Sequence, residues 1–82
     1  MNEKQINMKL RELLGNLELS IPIDEIKDSD SIFNIGIDSM SIIKLVVLIE
    51  KEFKIDFDED DICPENTETL EKLQVYIKNR MN

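Results

Sequence analysis

The sequence predicts an all-α fold: a small four-helix bundle with three main helices, one short helix and a long packed loop between helices 1 and 2. Hydrophobic residues make up 41% and charged residues 34% of the chain, which is typical of a folded domain. Glycine and proline number 2 each, too few for the turns of a β-sandwich or barrel. The 82 residues leave room for one domain, so we expect a single domain over residues 1–82.

The first helix is predicted over residues 3–19, because apolar side chains recur there at helical spacing. Asn2 and Gln5, three residues apart, can form a capping box at its start. One amphipathic stripe is defined by five residues at offsets of four, three, one and three: Ile6, Leu10, Leu13, Leu14 and Leu17.

Residues 20–38 are predicted to form a loop that packs on the core. The stretch holds Pro22, five acidic residues and Lys27 as its only base, without a sustained helical period. Loops of this length are uncommon in compact domains and are often functional. One helical turn is expected from about Ser31 to Asn34. Six apolar residues can anchor the loop: Ile21, Ile26, Ile32, Phe33, Ile35 and Ile37.

The second helix is predicted to start at Ser39 and to end at Phe53 or Lys54. Asp38 is a good N-cap residue, and Gly36 just before it favours a turn. At 100° per residue, one face of this helix is a core stripe made of Ile42, Leu45, Val46, Ile49 and Phe53.

The same helix carries a second apolar group on another side, which a surface helix of a small domain does not need for its own packing. This group begins beside the first residue of the helix and has a basic border of Lys44, Lys51 and Lys54. We interpret Met40 and Val47 as contacts for a partner protein. For Ile43, burial under the long loop is an equally open interpretation.

The last helix is predicted from about Thr67 or Thr69 to Arg80, after an acidic stretch of residues 56–62 and Pro64. Its stripe is Leu70, Leu73 and Ile77, with Tyr76 beside it. Residues 56–60 have the spacing of a calcium loop's first ligands, but Asp61 stands where glycine is required and Thr67 where glutamate is required. We therefore expect a solvated helix terminus and no metal site.

The charge of the chain restricts its partners and its location. The net charge of −8, with no histidine, gives no basic surface for nucleic acid or an anionic membrane, and basic protein partners fit it better. Cys63 is the only cysteine, so no internal disulfide is possible, and it is a small packing residue or an idle thiol. No secretory signal is apparent after Met1, and no apolar run is long enough to insert into a membrane. We expect a monomeric, cytoplasmic protein.

Ser39 is the residue most suited to carry chemistry. It opens a helix, where free backbone N–H groups and the positive end of the helix dipole would stabilise a phosphate ester on its Oγ. It cannot act as a catalytic nucleophile alone, because the chain has no histidine and Ile37 and Ser41 replace the glycines of a nucleophile elbow. Any reaction at Ser39 must be carried out by another protein.

These residues resemble the signature of the acyl and peptidyl carrier protein family. The motif is Gly36-Ile37-Asp38-Ser39-Met40, with Leu48-Ile49-Glu50-Lys51-Glu52-Phe53 downstream. The resemblance covers nearly the whole chain, including a short third helix, and implies a freestanding, non-catalytic carrier. It also implies that Ser39 receives 4′-phosphopantetheine from coenzyme A through a phosphopantetheinyl transferase. The arm's thiol would then hold acyl or aminoacyl groups as thioesters.

The resemblance also implies partners and a pathway class. The expected partners are the transferase, an adenylating or acyl-loading enzyme, and downstream condensing, transferase or tailoring enzymes, which would contact Asp38, Met40, Ile43 and Val47. Fatty-acid carriers usually present several carboxylates on the second helix, whereas residues 39–55 sum to +1 here. This departure, with Met40 after the serine, favours a nonribosomal peptide-type, polyketide or related specialised pathway.

Two alternatives stay open at this point. The first, within the same family, is a housekeeping fatty-acid carrier or a D-alanyl carrier protein. The second, from another class, is an unmodified acidic adaptor whose Met40, Ile43 and Val47 dock a partner helix while Ser39 is only structural. A gain of mass on incubation with coenzyme A and a transferase separates a carrier from an adaptor.

Overall fold

The computed structural model describes residues 2–17 and 19–81 and confirms the all-helical fold. The α-helices of this part of the chain are α1 Glu3–Leu14, α2 Ser39–Phe53, α3 Pro64–Thr67 and α4 Leu70–Arg80. Short 3-10 helices lie in the connecting segments at Ile23–Glu25, Ile32–Ile35 and Glu59–Asp61. Within the same residues, no helix is long and apolar enough to cross a membrane.

α1 begins with the predicted capping box. The Asn2 side chain accepts a hydrogen bond from the Gln5 backbone N–H at 2.9 Å, and the Asn2 N–H donates to the Gln5 side chain at 2.9 Å. Two of the donors left free at a helix start are thereby satisfied. The buried stripe of the helix is Ile6, Leu10, Leu13 and Leu14, as its spacing predicts.

The end of α1 differs from the prediction. The helix stops at Leu14 and not at residue 19, because Gly15, a poor helix former, takes the C-cap position. Leu17 and Leu19 still pack against the core, but from the segment that follows the helix. Their spacing therefore reflects burial against the core and does not show that the helix continues to these residues. Glu18, which the prediction included, lies outside the described residues.

The loop between α1 and α2 packs on the core as predicted, with one exception. Its buried anchors are Ile26, Ile32, Ile35 and Ile37, and Ile21 packs partly buried beside them. Phe33 was expected to be a further anchor but is 42% exposed. The 3-10 helix explains this, because its three-residue period turns Ile32 and Ile35 inward and Phe33 outward.

Backbone hydrogen bonds attach this loop to the C-terminal half of the bundle. The Ile32 N–H donates to the Glu68 carbonyl at 2.8 Å, and the Glu71 N–H donates to the Asp28 carbonyl at 3.2 Å. The loop is thus tied at two points, to Glu68 in the segment between α3 and α4 and to Glu71 in the first turn of α4. A connection held in this way presents the start of α2 in a defined position.

The core lies where α1 packs against α2 and α4. The predicted core stripe of α2 is buried in full, and it comprises Ile42, Leu45, Val46, Ile49 and Phe53. α4 contributes Leu70, Leu73 and Ile77. It is capped by Thr69, whose side chain accepts from the Lys72 N–H at 3.1 Å, so the later of the two predicted start positions is confirmed.

The acidic segment before α3 packs partly on α4 and is not simply solvated. Phe57 stacks on Tyr76 with ring centroids 4.4 Å apart, and the Tyr76 hydroxyl donates to the Asp61 carboxylate at 2.8 Å. Arg80 donates to the Asp56 carbonyl at 2.8 Å. Burial and the bond to Asp61 raise the pKa of Tyr76. The carboxylates around Asp61 remain exposed, consistent with the predicted acidic surface.

A polar cluster joins α1 to the loop at Asp28. Its carboxylate accepts hydrogen bonds from Asn7 at 2.9 Å and from Arg11 at 2.7 Å. Arg11 also donates to the Ile26 carbonyl at 2.8 Å. The bond from Asn7, assisted by the Arg11 guanidinium, lowers the pKa of Asp28 below its ordinary value of 3.8.

We expect Asp28→Asn to reduce the loss of stability in acid. Because the pKa of Asp28 is lower when folded than when unfolded, its contribution is present above the unfolded value and is lost as the pH falls through the folded value. The pair is partly exposed, so the effect should stay below about 1 kcal/mol. Urea unfolding from about pH 6 to pH 2 measures it, with Asp24→Asn as the control. Parallel pH profiles for wild type and Asp28→Asn would refute this role.

Candidate functional site

The candidate site is the start of α2, which the preceding loop holds at the surface. Gly36 ends the 3-10 helix Ile32–Ile35 with φ 102° and ψ 4°, a left-handed conformation that favours glycine. On either side of it, Ile35 and Ile37 are buried. These two anchors fix the turn, and Ser39, two residues after Ile37, is exposed.

Asp38 is the N-cap of α2, as predicted. Its carboxylate accepts from the Ser41 N–H at 2.8 Å and from the Met40 N–H at 3.1 Å. The bonds with Ser41 contribute most to the lowered pKa of Asp38, so this carboxylate is ionised at neutral pH and is a weak base. The cap fixes the first turn of the helix on which Ser39 lies.

This cap changes one expectation about the helix start. Backbone N–H groups of the first turn were expected to be free for a phosphate, but the Asp38 carboxylate accepts from two of them, those of Met40 and Ser41. A phosphate on Ser39 would still be stabilised by the positive end of the helix dipole. It would not receive the two hydrogen bonds that Asp38 accepts, and it would lie near the negative charge of that carboxylate. The geometry therefore suits a phosphate that projects into solvent and not one held down on the protein.

The second apolar group of α2 is exposed. Met40 is 74% exposed, Ile43 50% and Val47 42%. The alternative of Ile43 buried under the long loop is wrong, since half of its surface is accessible. A shallow groove of about 420 Å³ lies beside Ile43 and Val47, and its walls are Asn16, Leu17, Ile43, Lys44, Val47 and Leu48. We call Met40, Ile43, Lys44, Val47 and Lys51 the outer face of α2.

The charges of α2 are distributed unevenly around the helix. Within residues 2–17 and 19–81, Lys44 and Lys51 form no salt bridge and both are exposed. Glu50 is half-buried, and its carboxylate accepts from the Phe57 backbone N–H at 2.9 Å. Glu50 therefore anchors the segment after α2 through this hydrogen bond. Sequence patterns missed this role, because the bond depends on how residues 54–57 fold back.

Two features near Ser39 bear on its chemistry: an exposed aromatic ring and the lack of a strong base next to it in sequence. Phe33, in the 3-10 helix immediately before Gly36, adds an exposed aromatic ring to the loop that leads to Ser39. The three-residue spacing of Ile32 and Ile35 is the signal that could have placed it outside. Ser39 has no strong base beside it in sequence, since Asp38 is committed to its cap. Ser39 is therefore exposed without an uncommitted carboxylate next to it in sequence.

No group of three or more cysteine, aspartate or glutamate side chains is placed to hold a metal ion in the part of the chain that the structure describes. This includes the acidic residues 56–61, whose spacing partly matches a calcium loop. Cys63 is half-buried, and the Asn66 side chain lies 3.7 Å from its sulfur.

Comparisons with known proteins cover most of the chain, including the start of α2. A family model described as a phosphopantetheine attachment site matches residues 8–73, which include the whole of α2. An acyl carrier protein homolog from Mycoplasma genitalium is 28% identical over 79 residues, covering 96% of this chain and 92% of that protein.

Solved structures share the fold. They include two crystal structures of an engineered Bradyrhizobium japonicum glycine:[carrier protein] ligase complexed with a carrier protein from Agrobacterium tumefaciens, one with ATP and one with AMP. The first matches with a TM-score of 0.83 at 24% identity, covering 90% of this chain and 97% of the other. The second matches with a TM-score of 0.82 at 25% identity, covering 88% and 97%.

Proposed function

This chain belongs to the acyl and peptidyl carrier protein family, and we propose that Ser39 is the residue to which its 4′-phosphopantetheine is attached. Members of this family are non-catalytic carriers whose attachment domain bears the arm covalently. The observation that carries the proposal is the exposed Ser39 hydroxyl at the capped start of α2, within the matched region. Ser41, two residues on, is less accessible, since it is half-buried.

The attachment step is a phosphoryl transfer from coenzyme A, catalysed by a separate phosphopantetheinyl transferase. The Ser39 Oγ bonds to the phosphorus that carries the pantetheine. The bond from that phosphorus to adenosine 3′,5′-bisphosphate breaks, and the serine proton passes to a base of the transferase. Asp38 stays ionised and bonded to the helix start, so its role in this step is to position the first turn.

The attached arm would hold acyl or aminoacyl groups as thioesters on its terminal thiol. A tethered group reaches each enzyme at a high effective concentration without free diffusion. The phosphate at the capped helix start would leave the arm free to swing. In this proposal residues 1–82 act as one carrier domain, and transient partners load, transfer and modify the cargo.

We assign the loading partner to the class of ATP-using adenylating enzymes. A structural neighbour at 25% identity is a carrier protein complexed with a glycine:[carrier protein] ligase, which supports an aminoacyl-loading partner. The weakly basic, apolar outer face of α2 supports a peptide-type or related specialised pathway over a housekeeping fatty-acid pathway.

Intact mass spectrometry tests the attachment. Purified protein is incubated with coenzyme A, Mg²⁺ and a broadly tolerant phosphopantetheinyl transferase. We expect a gain of one phosphopantetheinyl group in wild type and in Ser41→Ala, and no gain in Ser39→Ala. If folded wild type gains no mass, the unmodified acidic adaptor is the better interpretation.

A further inference from the structure

The outer face of α2 has a charge opposite to that of the molecule. The chain carries −8 in total, and residues 56–71 hold eight carboxylates without a base. On the outer face, however, the charged residues are Lys44 and Lys51, which have no ion-pair partner within the described residues. Partners that approach Ser39 over this face therefore meet positive charge first.

One carboxylate of α2 borders this face, because Glu50 lies three residues after Val47 and seven after Ile43, but it is half-buried on the edge nearest the core. Glu50 is engaged by the Phe57 N–H on the side of the following chain. Glu52 is exposed. It follows Met40 by twelve residues, which places the two side chains about 120° apart around the helix axis. The lysines follow the apolar residues along the face in the order Met40, Lys44, Val47 and Lys51, a spacing that places all four on one line.

We propose that the partner surface that docks on the outer face of α2 is apolar and acidic. An apolar side chain of the partner enters the groove beside Ile43 and Val47, and carboxylates of the partner face Lys44 and Lys51. The acidic charge of the whole chain predicts basic partners, and this face is the exception. This inference rests on the proposed function, because it describes the enzymes that must reach Ser39.

The chemistry of the face supports this assignment. Apolar anchors supply most of the affinity of small interfaces, and charges around them select the partner and accelerate association. A basic partner surface would be repelled by Lys44 and Lys51, whereas an acidic one would pair with them. The rest of the molecule would repel an acidic surface, so productive contact would be confined to α2.

A pair of synthetic peptides tests the proposal on the unmodified protein. Both are helical and share one leucine face, and they differ only in carrying glutamate or lysine beside it. Backbone amide NMR on ¹⁵N-labelled protein maps where each peptide binds. We expect the glutamate peptide to shift the signals of Met40, Ile43, Lys44, Val47 and Lys51, and added salt to weaken its binding.

Charge reversal supplies the matched control. In the double variant Lys44→Glu with Lys51→Glu, the glutamate peptide should bind about tenfold or more weakly. The control is Lys4→Glu, at an exposed position of α1, which should leave binding of the glutamate peptide unchanged. The proposal is overturned if the lysine peptide binds the outer face as tightly as the glutamate peptide, or if the glutamate peptide does not bind there. Since the peptides need no arm, protein that gains the arm but prefers the lysine peptide refutes this inference alone.

Discussion

Val47→Asp and Met40→Ala are each expected to slow loading of the phosphopantetheinylated protein by about tenfold or more, with the fold intact. Both side chains are exposed on the outer face of α2 and are not part of the core. A tenfold loss in kcat/KM corresponds to about 1.4 kcal/mol of transition-state binding, which is within the range of one apolar anchor. The measurement is the rate of thioester formation with the adenylating enzyme, and thermal unfolding checks the fold.

The control for this prediction is Glu52→Gln, because Glu52 is exposed and forms no hydrogen bond or salt bridge within the described residues. It should change loading much less, since exposed ion pairs contribute little. Glu50→Gln should also have a small effect, because glutamine can still accept the Phe57 N–H. The contrary result is that removal of the charges at Glu50 and Glu52 abolishes loading while Met40→Ala and Val47→Asp leave it unchanged. Docking would then depend on carboxylates, and the preference for a peptide-type or aminoacyl-type pathway would be wrong.

Leu45→Ala is expected to lower the free energy of unfolding by about 2 to 5 kcal/mol, and Ile49→Ala by a similar amount. Both side chains are fully buried where α2 meets the core, so truncation removes buried contacts and leaves a cavity. Val47→Ala, on the exposed face of the same helix, should cost much less. Urea unfolding of the three variants measures the difference. Equal losses would show that α2 does not have one core face and one outer face.

The helix starts could be predicted well because local chemistry determines them. Asn2, Asp38 and Thr69 each cap a helix with their own side chain, within three residues of the group they bind. The two faces of α2 were also predictable, since they depend only on the helical period. The start of α2 and the exposed Ser39, on which the proposed function depends, were therefore accessible to sequence reasoning.

The features that sequence reasoning missed depend on tertiary packing. Leu17 follows the helical period although α1 has ended, because burial imposes the same pattern on the segment after Gly15. Phe33 is apolar yet exposed, because the 3-10 helix directs its neighbours inward. Glu50 binds a backbone group seven residues away that is brought near only when the chain folds back after Lys54. Only the exposure of Phe33 has a local signal, which is the three-residue spacing of Ile32 and Ile35.

The central claim, that Ser39 carries the arm, is tested most directly by locating the modification in the treated wild-type protein. Trypsin releases residues 28–44 as one peptide, which contains Ser29, Ser31, Ser39 and Ser41. Fragmentation of this peptide by tandem mass spectrometry assigns the added mass to one serine. We predict that every modified peptide carries the phosphopantetheinyl group on Ser39. Its presence on Ser29, Ser31 or Ser41, or on a peptide outside residues 28–44, would contradict the account.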